Sequence, residues 1–143
     1  MSRLIEQDIK PDNILISESG VMKLSDFGLG AQLEHSCSKR NNVCGTSLYM
    51  APEVYGEGAE LKSDVWALGI SIIEMAEGKN PFAGMIPEKI MSQVVIEPSP
   101  TLPASKWSSD LVDFVSRCLV KDVEKRASVV ELLEAVLDEG YDD

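Results

Sequence analysis

With 143 residues, 44% of them apolar, the chain is long enough to bury a core as one globular unit, which sets aside the fibrous and disordered classes. Its 24 acidic against 13 basic residues give a net charge of -11, which opposes nucleic-acid backbones and anionic membrane surfaces as partners. Three cysteines (Cys37, Cys44 and Cys118) show neither a disulfide framework nor zinc-ligand spacing, the chain opens without a signal-peptide stretch, and its best apolar run, residues 65–73, is too short to span a bilayer; a cytoplasmic setting is expected.

In chain order, Ile14-Leu15-Ile16, then Ser17-Glu18-Ser19-Gly20, then Val21-Met22-Lys23-Leu24 read as strand, turn and strand, a small hairpin. Residues 28–49 keep no period and are rich in small and polar side chains, the pattern of a long functional loop. Over residues 63–77, Val65, Trp66, Leu68, Ile70, Ile72, Ile73 and Met75 put apolar groups around a whole helical wheel, so this helix is expected to be buried on several sides and to stop at Gly78. A short helix over 86–95 precedes a loop with three prolines, Pro98, Pro100 and Pro103. Ser108 or Ser109 can cap a helix whose Leu111, Phe114, Val115, Cys118 and Leu119 share a core face. Ser128 and Glu131 form a capping box ahead of a last helix with Leu132, Leu133, Val136 and Leu137 expected on one core face, followed by an acidic tail over 138–143.

Short motifs punctuate this pattern. Asp8-Ile9-Lys10-Pro11-Asp12-Asn13 has the form D-x-K-P-x-N, Asp26-Phe27-Gly28 follows the hairpin, and Gly45-Thr46 precedes Tyr49-Met50-Ala51-Pro52-Glu53. Further on come Asp64-Val65-Trp66-Ala67-Leu68-Gly69 and Lys125-Arg126-Ala127-Ser128. In this order and spacing they resemble the C-terminal, catalytic lobe of a protein serine/threonine kinase. Lys39-Arg40-Asn41 and Ile73-Glu74-Met75-Ala76-Glu77-Gly78 are most similar to the sterile-twenty-related branch.

The resemblance implies a mainly α fold over residues 1–137, with a hairpin at the catalytic loop, a long activation loop and a buried central helix. It implies ATP and Mg2+ as cofactors, and protein substrates presenting Ser or Thr, with regulatory proteins as further partners. A hydroxyl attacking a γ-phosphate needs a carboxylate to orient it and take its proton, the role the family gives Asp8. Lys10 corresponds to the cation that meets the phosphoryl oxygens. Asn13 and Asp26 correspond to the oxygen ligands of magnesium, Thr46 to the residue tying the substrate loop to Asp8 and Lys10. Phe27 and Gly28 complete the metal-binding motif; Glu53 and Arg126 correspond to a buried ion pair, and Asp64 to a carboxylate that holds the catalytic loop through its N–H groups.

Two features depart from the pattern. The Gly-rich loop, strand lysine and helix glutamate that grip ATP lie upstream of the catalytic loop in this family, and only seven residues precede Asp8, so the chain reads as a lobe without its N-terminal partner and without the helix that precedes the catalytic loop. Gly56-Glu57-Gly58 lies after Glu53 and is read as a surface turn. The His-Arg before the catalytic Asp is replaced by Glu6-Gln7, and Asn42 stands where the branch carries a phosphorylated threonine. Two functions follow as alternatives: a kinase catalytic lobe with little activity by itself, or a non-catalytic kinase-like interaction module.

Overall fold

The computed structural model of the chain describes residues 8–25 and 47–138. Its first part is a 3-10 turn, Pro11–Asn13, running into strand β1, Ile14–Ile16, which pairs antiparallel with β2, Met22–Leu24. Proline opens the turn because its fixed φ suits a first helical position and its missing N–H would have no partner there. Gly20, at φ +84°, takes the left-handed position of the hairpin turn, while the Ser17 hydroxyl accepts from the Val21 N–H at 3.0 Å. The register sets Ile14 opposite Leu24 and Ile16 opposite Met22, so one hairpin face is wholly apolar.

Helix α1, Leu61–Glu77, organises the rest. Two 3-10 turns, Ser47–Tyr49 and Pro52–Tyr55, lead into it; helices α2 (Pro87–Val95), α3 (Ser109–Cys118) and α4 (Val129–Asp138) follow. The fold among the described residues is therefore four helices and one small two-stranded sheet. None of these helices is long and apolar enough to cross a membrane.

Val65, Trp66, Ile70 and Ile73 of α1 are buried and form the centre of a core shared with Ile90 and Val94 of α2, Val115 and Cys118 of α3, Leu119, and Leu102 from the proline-rich loop. The helix starts two residues before the expected boundary, because the Ser63 hydroxyl accepts the Glu60 N–H at 2.9 Å and so caps the chain from inside the first turn. It ends as anticipated, with Gly78 at φ +73° and its N–H on the Glu74 carbonyl. The expectation of burial all around the wheel is too broad: Met75 is 47% exposed, because the covering elements leave the outer face of the last turn to solvent.

Helices α1 and α3 meet at Gly69. A Cβ built there would lie 2.7 Å from Cys118 Cβ and 2.8 Å from Leu119 Cδ2, so only a glycine permits the approach. Ser108 caps α3 by accepting the Leu111 N–H at 3.3 Å, and Ser128 with Glu131 closes both halves of the capping box at α4. The core face expected on α4 is only partly covered. Leu132 is buried in the common core, but Leu133 and Leu137 are mostly exposed, because only the sector of the helix around Leu132 is covered.

Candidate active site

The loop from Asp8 to Asn13 folds back on itself. Asn13 is buried, and its side-chain Nδ2 donates to both the Asp8 carbonyl and Asp8 Oδ2, each at 2.9 Å. Lys10 Nζ lies 3.6 Å from the other carboxylate oxygen, Asp8 Oδ1. Both partners keep about a quarter of their side-chain surface, 25% for Lys10 and 27% for Asp8, so the pair lines an accessible surface rather than a sealed core. The sequence forces this closure: the Asn13 N–H reaches the Lys10 carbonyl at 3.0 Å across Pro11 and Asp12, which turns the amide side chain toward Asp8.

Asn13 is also the anchor for the hairpin exit. Its carbonyl accepts from the Ser25 N–H at 2.8 Å and from the Ser25 hydroxyl at 3.3 Å. Asp26 follows Ser25 in the sequence; Asp26, Phe27, Gly28 and Thr46 lie outside the described residues, as do Glu6, Gln7, Asn42 and the greater part of the long loop.

The turn Pro11–Asn13 and the turn Ser47–Tyr49 both pack on α1. Asp64 sits in the first turn of that helix, partly buried. At the second turn, the Tyr49 hydroxyl donates to Glu74 Oε2 at 2.5 Å. Burial, then the hydrogen bond and charge of Glu74, push the Tyr49 phenol well above its ordinary range.

Glu53 and Arg126 form a two-pronged ion pair, with Arg126 Nη1 and Nη2 donating to the carboxylate at 2.7 and 2.9 Å. Arg126 is fully buried, and Glu53 keeps 6% of its side-chain surface. The guanidinium spends its other donors on the carbonyls of Lys62 and Val120, both at 2.8 Å, and lies 5.3 Å from the centroid of the Trp66 ring. Ser63 completes the arrangement, its hydroxyl donating to Glu53 Oε1 at 2.8 Å.

The structure thus brings Asp8, Lys10 and Asn13 into one cluster and Glu53 and Arg126 into another, with α1 behind both. Three contributors lacked a clear signal in the sequence. Ser63 reads there only as a helix start, the Tyr49–Glu74 contact joins two quoted motifs across 25 positions, and Ser25 is merely the residue before Asp26. Cys118 is not a chemical candidate: burial pushes its thiol up to about 12, against the opposing effect of Arg126.

A family description, "Protein kinase domain", matches residues 2–137. The chain belongs to the protein kinase family. It is also 44% identical over 136 residues to Serine/threonine-protein kinase hippo of Drosophila melanogaster, an alignment that covers 94% of this chain. The same alignment covers 20% of the hippo protein, so the chain spans about that share of its relative's length. Within the kinase family it falls in the serine/threonine group and its sterile-twenty-related branch.

Proposed function

We propose that this chain carries the phosphoryl-transfer half of a protein serine/threonine kinase, with Asp8 as the catalytic carboxylate, and that alone it transfers little phosphate. The single observation behind this reading is the closed Asp8–Lys10–Asn13 cluster. One carboxylate oxygen is held by the Asn13 amide at 2.9 Å, while the other faces a lysine at 3.6 Å. A carboxylate fixed in this way can accept a hydrogen bond from an incoming Ser or Thr hydroxyl, orient its lone pair, and take the proton as the oxygen forms its bond to phosphorus. Lys10 supplies positive charge beside the oxygens on which negative charge grows.

The donor set suits magnesium. Asn13 Nδ2 is engaged by Asp8, so the atom that Asn13 offers a cation is its side-chain amide oxygen Oδ1, a hard ligand, and Asp26 adds a carboxylate in the family pattern. When bound, the ion would neutralise charge on the ATP phosphates. In this reading Thr46 ties the substrate loop to Asp8 and Lys10, Asp64 holds the catalytic loop from the α1 side, and Glu53–Arg126 fixes the end of the activation segment against the helices. In this reading residues 1–137 form the kinase lobe, and the acidic tail begins at Asp138, which the structure makes the last residue of α4.

The apolar hairpin face supports the lobe reading. Ile16 and Met22 are 64% and 62% exposed, an arrangement that a further packed element of the kinase fold would cover. With the ATP clamp outside this segment, positioning of the nucleotide is incomplete. The test is incubation of the purified chain with labelled MgATP and a Ser/Thr protein substrate. Negligible incorporation, with little thermal stabilisation by the nucleotide, is expected. Robust incorporation that disappears in Asp26→Ala would refute the low activity assigned to the isolated lobe.

A further inference from the structure

Helix α4 exposes an apolar stripe that phosphoryl transfer does not use. Val129, Val130, Leu133 and Leu137 are 64, 64, 58 and 64% exposed, and their spacing sets them on one face, turned away from buried Leu132. Isolated exposed aliphatic residues are ordinary, whereas adjacent ones covering most of a helix mark a contact surface.

One edge of the stripe is acidic. Glu134 and Asp138 stand one helical turn apart beside Leu133 and Leu137, and neither makes an ion pair among the described residues. The cations across the neighbouring groove, Arg117 and Lys125, are already engaged by Asp113 at 2.7 Å and Asp122 at 3.9 Å. A second copy of this chain would bring another net charge of -11 toward the same carboxylates, so self-association is opposed. A cationic helix with an aliphatic face answers both the shape and the charge.

We propose that this face of α4 docks a basic amphipathic helix of a protein partner, whose aliphatic side chains cover Val130, Leu133 and Leu137 and whose lysines or arginines meet Glu134 and Asp138. The surface is independent of the catalytic loop, so the proposal stands or falls apart from the kinase reading.

The test uses a fluorescent synthetic helix with leucines along one face and lysines along its edges, titrated with the chain and followed by anisotropy. The native chain should bind it with an affinity that falls as salt rises. Leu133→Ser with Leu137→Ser should weaken binding by roughly tenfold or more. Glu134→Gln with Asp138→Asn should weaken it and flatten the salt dependence; this charge-only pair carries the test should the serine pair melt early. Met91→Ser with Val95→Ser, on the outer face of α2, should leave binding unchanged. The proposal is overturned by undiminished binding to the serine and amide variants, by equal binding of a peptide with glutamates replacing the lysines, or by no binding of the lysine peptide. A dimer of the native chain that Leu133→Ser dissolves would assign the face to a second copy instead.

Discussion

Replacing Arg126 by methionine isolates the buried ion pair, because methionine keeps an apolar stem of similar length and removes the charge. The guanidinium makes two bonds to Glu53, two short bonds to the Lys62 and Val120 carbonyls, and a face contact with Trp66, all without solvent exposure. Its loss leaves the Glu53 carboxylate with only the Ser63 hydroxyl and its own backbone N–H, and with no counter-charge. Stranding one half of a buried pair costs about 3–5 kcal/mol, against about 0–1 kcal/mol for an exposed pair. The two regimes are readily separated by urea denaturation at neutral pH.

The pH dependence sharpens this prediction. In the native chain burial pushes the Glu53 carboxyl upward, but hydrogen bonds from Arg126, its own backbone N–H and Ser63, with the charge of Arg126, outweigh it and hold the group below its ordinary 4.5. A carboxyl held down in this way stabilises the fold above its unfolded value, and the contribution is lost as pH falls through the folded value. In Arg126→Met the hydrogen bond and charge of Arg126 that hold the carboxyl down are gone, so its folded value rises relative to the native chain and protonation relieves the deficit as pH falls through it. The stability gap between native and variant chains should therefore be widest near neutrality and narrow in acid. A gap below about 1 kcal/mol at neutral pH, or one unchanged at pH below 4.5, would refute the reasoning. Adding Glu53→Met to Arg126→Met should recover part of the loss, the remainder reflecting the unserved carbonyls.

Gly69→Ala should lower stability by about 1–3 kcal/mol, read as a fall in the denaturation midpoint, because the Cys118 Cβ it would meet at 2.7 Å is fixed to the α3 backbone. Gly78→Ala has open space around it but requires φ +73°, so its cost should be about 1–2 kcal/mol from backbone conformation alone. Tyr49→Phe should cost about 1.5–3 kcal/mol through loss of the hydrogen bond to a charged carboxylate. In an alkaline absorbance titration the same substitution should remove a phenol that ionises above the ordinary 10.0, the native fold losing the contribution of this phenol as pH rises past that value.

The elements were legible wherever a periodic pattern met a stop or a cap. Gly78, Ser108 and the Ser128–Glu131 box stand where the sequence puts them, since each acts on its own neighbours within a turn. Contacts across the chain were legible only through the family resemblance. Nothing local about Glu53 announces Arg126, 73 positions away, and Ser63 serves that pair through a hydroxyl that the sequence reads as a helix start. The α4 reading failed for a related reason: Leu133 and Leu137 have the spacing of core residues, but spacing fixes a face and not what lies opposite it. The site divides in the same way, with Asp8, Lys10 and Asn13 close in sequence and closed by one amide, and with Asp26 and Thr46 outside the described residues.

The most direct measurement supplies the nucleotide clamp from a relative. A chimera placing the upstream part of the hippo kinase domain ahead of this chain should transfer labelled γ-phosphate to a Ser/Thr protein substrate. Asp8→Asn should reduce the rate by about 10²–10⁴-fold, and Asp26→Ala should abolish it, while nucleotide-free melting of both variants stays that of the parent. A folded, ATP-binding chimera that transfers nothing, or one whose rate survives Asp8→Asn, would contradict the assignment of Asp8 as the carboxylate that prepares the attacking hydroxyl.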